Sequence, residues 1–243
     1  DSNLSVSAIT EKDKEHLEFG TKHDVDFVAV SFVRNAGDIN TVRDLIPNDI
    51  KVIAKIELKA ALDNIEEILD VADGVMVARG DLGVQLPLEQ VPFVQKQILD
   101  AANKKGKISI TATEMLQSMK SSYRPTRAEV TDITNAILEG SDAVMLSAET
   151  SIGDNPNRVV EVMSLICSET DSKNDTSSLL SKENTSEDSI TTTLARAAVQ
   201  VANEIEAKAI VAFTETGRTP LLISNFRPQA EIITFSTKNK TLN

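Results

Sequence analysis

The chain has 243 residues, 41% hydrophobic and 26% charged, which is the balance of a globular protein with one large domain or one and a half, not of a disordered chain. A formal charge of −12 argues against general nucleic-acid or anionic-membrane binding, and no run of about 18 apolar residues offers a membrane span. One cysteine, Cys167, excludes an internal disulfide and fits a reducing cytoplasm, while the opening DSNLSVSAITEKD lacks the cationic start and apolar core of a signal peptide.

The first predicted element is a mixed-sign, solvated helix in TEKDKEHLEFGTKHD, with His16 and His23 on its surface. Five apolar, β-type runs follow, each passing into polar or reactive residues: FVAVSFVR (27–34), VIAKIE (52–57), GVMVARGDLG (74–83), ISITATEML (108–116) and AVMLSAET (143–150). Helical patterns separate them. Leu62, Ile65, Ile68 and Leu69 follow Glu57 at helical spacing. Pro87 is expected to open the next helix, with Val94, Ile98 and Ala102 on one face and Gly106 closing it. Thr126 and Glu129 form a T-x-x-E capping box ahead of Val130, Ile133 and Ile137, and Gly140 ends that helix. Asn155 caps and Pro156 starts another, carrying Val159, Val162, Met163 and Ile166, with Cys167 a packed thiol near its apolar face. Met76, Met145 and Met163 fall at core positions.

Strands recurring in this way describe successive βα units and a parallel α/β fold. Five such units alone would leave two open sheet edges. An eight-stranded barrel without its first three strands explains the pattern better than a complete five-stranded sheet. The absence of an initiator Met, and the ending STKNKTLN just after a strand-like run, lead to the expectation of a piece of a longer chain. Polar residues beginning DSKNDTSSLL read as a linker or exposed loop over 171–188, dividing 1–170 from a second α/β unit at 189–243. That unit is predicted to contain an amphipathic helix at 190–206 with Leu194, Ala198, Val201 and Ile205 on its apolar face. The strand AIVAFT (209–214), a turn TETGRTP entering a helix at Pro220, and the strand EIITFS (231–236) complete it.

Strand carboxyl ends deliver catalytic groups in folds of this kind, so Lys55, Glu57, Arg79, Asp81, Thr113, Ser147 and Glu149 are expected to converge on one mouth. Lys55 and Glu57, two apart on a strand, share a face. They make either a plain ion pair or a site where Glu57 binds a hard cation and Lys55 meets developing negative charge. Asp81, after a glycine that allows close backbone approach, supplies a second carboxylate, a set suited to Mg²⁺ and not to zinc, since no His or Cys accompanies it. Thr113 is either β-favouring filler or a hydroxyl for a substrate carboxylate. Ser147 and Glu149 repeat the two-apart spacing and either relay a proton or hydrogen-bond the rim. TETGRT (214–219) is either an ordinary capped turn or a phosphate cradle of backbone N–H groups, threonine hydroxyls and Arg218.

VIAKIE, MVARGDLG, TATEMLQSM, RPTRAEVTDITNAILEGSDAVMLSAET and TETGRTP stand in the order and spacing of the pyruvate kinase family, which residues 1–170 and 189–243 resemble. The resemblance implies a partial TIM (β/α)8 barrel, strands four to eight, followed by the start of a C-terminal α/β domain. It implies phosphoryl transfer from phosphoenolpyruvate to ADP, giving pyruvate and ATP. In that scheme Lys55 stabilises the transferring phosphoryl group and the enolate, and Glu57 and Asp81 ligate Mg²⁺ or Mn²⁺. Backbone at Arg79, Gly80 and Asp81 approaches the substrate carboxylate. Thr113 hydrogen-bonds substrate and supports protonation of the enolate carbon, and Ser147 and Glu149 help that proton route. Thr214, Thr216, Gly217, Arg218 and Thr219 bind phosphate of an allosteric effector, commonly a sugar phosphate. It further implies K⁺, a cytoplasmic homotetramer, and no activity for this piece alone. The chain departs from the usual family pattern at Leu58-Lys59-Ala60-Ala61, Glu114, Thr134 and Ala148. A metal-dependent lyase of the related phosphoenolpyruvate-using barrels and a non-catalytic sugar-phosphate sensor are the alternatives.

Overall fold

The computed structural model describes residues 9–174, 190–238 and 241, so most of the expected linker and the last residues lie outside the described part. Two compact units, Asp1–Ser172 and Lys173–Asn243, are taken in turn.

The first unit opens with α1 (Glu11–Lys22), started by a capping box in which Thr10 accepts from the Asp13 N–H and the Asp13 carboxylate accepts from the Thr10 N–H. Only Leu17 of this helix is buried, and His16 and His23 are exposed. Then come β1 (Phe27–Val30), α2 (Ala36–Arg43), β2 (Lys51–Ile56), α3 (Lys59–Asp63), α4 (Ile65–Val71), β3 (Gly74–Ala78), α5 (Arg79–Gln85) and α6 (Val91–Lys104). β4 (Ile108–Ala112), α7 (Arg127–Leu138), β5 (Ala143–Met145), α8 (Ala148–Ser151) and α9 (Pro156–Lys173) complete it.

All five strands are parallel and lie in chain order. Their starts step forward: Gly74 pairs with Ile53, two residues into β2, and Ala143 with Ile110, two into β4. That stagger belongs to tilted strands curling toward a barrel. Side-chain alternation gives the sheet two faces. Val52, Ala54 and Ile56 of β2 and Val75 and Val77 of β3 meet Ile39, Val42, Ile68, Leu69, Ile98 and Leu99 of the covering helices. Each such fully buried Val, Leu or Ile side chain contributes about 1.5–3 kcal/mol. On the opposite, inward face Ile53, Met76 and Ala112 pack with Ile110 and Met145. Lys55 and Glu57 continue this inward row toward the carboxyl ends.

The amino ends of the strands are knitted for stability. Asp73, just before β3, accepts from the Val52 N–H at 2.8 Å and also binds Arg43; Asp142, just before β5, accepts from the Ser109 N–H at 2.9 Å. Gly74 is needed by close approach, because a Cβ there would lie 2.6 Å from the Ile108 carbonyl oxygen.

Several predicted boundaries move. The helix after Glu57 is broken at Asn64 into α3 and α4. Pro87 precedes a 3-10 turn (Leu88–Gln90), and α6 begins at Val91 with Pro92 in its first turn, where a missing N–H costs nothing. Asp81 lies just past β3, as expected, and the residues Arg79–Gly83 around it form the first turns of α5. Met115, Leu116 and Met119, in the segment after β4, join Ile133, Ile137, Val159 and Met163 in a second core cluster, with Cys167 packed against it. Burial, with Asp171 nearby, pushes the Cys167 thiol above its usual range.

The second unit has α10 (Ile190–Glu204), β6 (Ala209–Phe213), α11 (Arg218–Ser224) and β7 (Glu231–Phe235), with β6 and β7 parallel. The helix buries Ala195, Val199 and Ala202, whereas Leu194, Val201 and Ile205 are 64%, 53% and 70% exposed. The predicted apolar face is therefore the wrong one. Two apolar stripes run along this helix, and the small residues of the buried stripe allow close packing on the sheet. The pair β6–β7 is covered on one side through Ala212, Ile210 and Ile232, while Val211, Phe213, Ile233 and Phe235 are exposed on the other. α11 starts at Arg218, two residues before the predicted Pro220.

Candidate active site

Every functional residue predicted in the first unit sits at the carboxyl end of the parallel sheet. At β2, Lys55 Nζ lies 2.6 Å from Glu57 Oε1 and donates to Ser31 Oγ at 2.8 Å. Glu57 is 1% exposed, and its other oxygen accepts from the Phe32 N–H at 2.6 Å. A carboxylate taken out of water needs a cation and donors, and the ends of β1 and β2 supply both. Phe32 takes a left-handed φ of 55°, unusual for a bulky side chain, and its N–H reaches Glu57.

At β3 the chain turns directly into α5. The Arg79 side chain is buried, and Asp81 is exposed on the first turn. Arg79 Nη1 meets both Asp132 carboxylate oxygens at 2.7 Å. The Gly80 N–H donates to Thr113 Oγ1 at 2.8 Å. At β4, Thr113 and Glu114 are consecutive non-glycine residues at positive φ, 71° and 55°. Such conformations cost about 1–3 kcal/mol each and persist where the surroundings over-determine them, often at functional sites.

At β5 the expected two-apart strand pair is not formed. The strand ends at Met145, and Glu149 lies in the short helix α8, fully buried. Its carboxylate accepts from the Ser147 and Leu116 N–H groups at 2.9 and 3.3 Å, and from the Ser147 hydroxyl at 3.3 Å. Burial alone would raise its pKa, but these backbone and hydroxyl donors outweigh it and hold the carboxyl below its usual range. Glu149 thus fastens the β5 end to the segment that follows Thr113.

Among the described residues no group of three or more His, Cys, Asp and Glu side chains makes a metal cage. Glu57 and Asp81 are hard oxygen donors without a nitrogen or sulfur ligand beside them. Such a pair fits a Mg²⁺ site completed by substrate oxygens and water, not a structural zinc site. In the second unit, Thr214 Oγ1 accepts from the Thr216 and Gly217 N–H groups at 3.3 and 3.0 Å, so two loop donors are already engaged within the turn. Gly217 has φ 78°, and Arg218 and Thr216 are exposed.

Sequence reasoning missed Ser31, the Phe32 N–H and Asp132. Ser31 was visible as the first polar residue after FVAV. Asp132 lies inside the run RPTRAEVTDITNAILEG, but a single aspartate in a helix pattern looks like solvated surface, so its partner was not visible.

A parallel β/α array of staggered strands, with polar and charged groups gathered at its carboxyl ends, defines the class of β/α-barrel proteins. The chain matches the family model described as pyruvate kinase, barrel domain, over residues 1–160, and that of the pyruvate kinase alpha/beta domain over 192–243. It belongs to the pyruvate kinase family. It is 43% identical to the pyruvate kinase of Clostridium perfringens, covering 98% of this chain and 52% of that protein. It is 44% identical to that of Dictyostelium discoideum, covering 98% and 49%. A solved pyruvate kinase from Cryptosporidium parvum superposes with a TM-score of 0.94 at 39% identity, covering 98% of this chain and 51% of that one. The chain thus spans about half the length of these relatives.

Proposed function

We propose that the protein carrying this chain transfers the phosphoryl group of phosphoenolpyruvate to ADP, giving pyruvate and ATP. The observation that carries the reading is the Lys55–Glu57–Ser31 cluster at the same sheet end as Asp81 and Thr113, in a chain of this family. Phosphoryl transfer asks a protein mainly for positioning and for neutralisation of spread-out charge. Lys55 supplies a fixed ammonium for the transferring group and the enolate. Glu57 and Asp81 would hold Mg²⁺ or Mn²⁺, which when bound neutralises phosphoryl and carboxylate oxygens. The backbone at Arg79, Gly80 and Asp81 receives the substrate carboxylate. Thr113 hydrogen-bonds substrate beside it and supports delivery of a proton to the enolate carbon. Ser147 stands on that proton route, and Glu149, held ionised, orients the Ser147 hydroxyl.

The loop Thr214–Thr219, with Thr216, Gly217 and Arg218, is proposed to bind the phosphate of a sugar-phosphate effector. A K⁺ requirement, homotetrameric assembly and a cytoplasmic setting belong to the same proposal. No helix among the described residues is long and apolar enough to cross a membrane. No observation favours the lyase or the sensor reading. A coupled assay of pyruvate formation from phosphoenolpyruvate, ADP and Mg²⁺ tests the proposal: turnover is expected in the unmutated protein and nearly none in Lys55→Met. Absence of turnover in the former, or full turnover in the latter, overturns it.

A further inference from the structure

We infer that Arg79 and Asp132 form a positioning clamp that holds Thr113 and Glu114 in their left-handed backbone conformation, and so set the place of the Thr113 hydroxyl at the mouth. The inference rests on the phosphotransfer reading only for its effect on turnover.

The arginine of a strand end beside a substrate pocket is normally looked to for anion binding. Here its guanidinium faces protein. Arg79 is 8% exposed, and all three nitrogens are engaged. Nη1 reaches both oxygens of Asp132 at 2.7 Å. Nη2 donates to the Thr113 and Glu114 carbonyls at 2.7 and 3.2 Å, and Nε to the Thr113 carbonyl at 3.2 Å. A planar fork can serve a carboxylate and carbonyls together, which an ammonium cannot do in the same geometry. The next residue, Gly80, donates its N–H to Thr113 Oγ1 at 2.8 Å. Thr113 is therefore gripped at its carbonyl and at its hydroxyl by two successive residues of the β3 end.

That grip coincides with the strained backbone. Thr113 has φ 71° and Glu114 φ 55°, and a β-branched residue in this region is a genuine outlier. Nothing in the side chains of Thr or Glu favours it. The carbonyls of these two residues are the ones that Arg79 binds, and Asp132, on α7, fixes Arg79 from the far side. Without Asp132 the guanidinium is free to leave the carbonyls, the pair relaxes toward extended backbone, and Oγ1 leaves the Gly80 N–H. An ordinary structural ion pair tying α7 to α5 would have no such dependence on the backbone at 113–114.

Two measurements on Asp132→Asn separate these cases. The first is a crystal structure of the variant. An extended Thr113–Glu114 segment with the Gly80–Thr113 bond lost is expected; an unchanged left-handed pair overturns the clamp. The second is steady-state kinetics. A loss of about ten- to a hundredfold in kcat/KM for phosphoenolpyruvate is expected, the scale of a catalytic group displaced by about 1 Å. Adding Glu114→Gly, which removes the penalty for positive φ at that residue, is expected to restore most of the lost turnover. A double variant no better than Asp132→Asn overturns the clamp. If Asp132→Asn does not fold, Arg79→Lys carries the same expectations, including rescue by Glu114→Gly. If the unmutated protein shows no phosphotransfer, that reading fails alone, and the backbone at 113–114 still decides the clamp.

Discussion

Replacing Ser31 by alanine tests whether the Lys55 ammonium is aimed, and not merely present. Lys55 Nζ has two protein partners, Glu57 at 2.6 Å and Ser31 at 2.8 Å. Removing the hydroxyl leaves the carboxylate as the sole partner, so the ammonium settles on Glu57 and away from the mouth. A hydrogen bond to a charged group contributes about 1.5–3 kcal/mol when fully lost. Lys55 is 26% exposed, so water replaces part of that bond, and a net loss of about 1 kcal/mol is the reasonable scale. At about 1.4 kcal/mol per tenfold, kcat/KM for phosphoenolpyruvate should fall about fivefold. Lys55→Met, in contrast, removes the charge itself, and losses of about 10³–10⁵ accompany removal of a cation from a phosphoryl-transfer site. The pyruvate-coupled assay, run on both variants with melting curves as a folding control, measures the two effects. A Ser31→Ala loss as large as that of Lys55→Met, with melting unchanged, would refute this account of Ser31, and so would no loss at all.

Glu149→Gln removes a carboxylate whose pKa is held down in the folded protein by the Ser147 and Leu116 donors despite burial. Its stabilising contribution is therefore complete above the ordinary glutamate range and is lost as pH falls through the lowered value. Melting at pH 7 should show a deficit of about 1–3 kcal/mol for the variant, narrowing below about pH 4.5; a deficit independent of pH would contradict the assignment. Gly74→Ala places a methyl 2.6 Å from the Ile108 carbonyl oxygen and should lower the melting temperature by several degrees, given about 1–3 kcal/mol for overpacking. An unchanged melting temperature would show that β3 and β4 shift apart freely. Arg218→Ala should weaken activation by a phosphorylated sugar more than it lowers basal turnover; an unchanged activation curve would leave TETGRT an ordinary turn.

Strand positions, and the placement of the candidate residues at the strand ends, were legible for one reason. A parallel strand buried on both faces is a continuous apolar run, and the first polar residue marks where it leaves the sheet. VIAKIE therefore announced both β2 and the inward pair Lys55 and Glu57. The same rule failed at AVMLSAET, because β5 ends at Met145 and the next residues turn into α8. A leucine and a serine after a strand do not reveal that change of direction. The face of α10 was misread because Leu194, Val201 and Ile205 form an apolar stripe as good as Ala195, Val199 and Ala202. Periodicity finds a stripe, but the neighbouring sheet decides which one is covered. Asp132 and the positive φ values at Thr113 and Glu114 were invisible because both arise from contacts between distant segments.

Glu57 and Asp81, with Lys55 alongside, are proposed to gather about one divalent cation. Titration of the protein carrying this chain with Mn²⁺ in the presence of phosphoenolpyruvate, followed by electron paramagnetic resonance of the free ion, tests it without reference to turnover. One bound Mn²⁺ per chain is expected, with binding weakened at least about tenfold in both Glu57→Gln and Asp81→Asn, as the loss of one of two carboxylate ligands requires. Unweakened Mn²⁺ binding in either variant, with the fold intact, would contradict it.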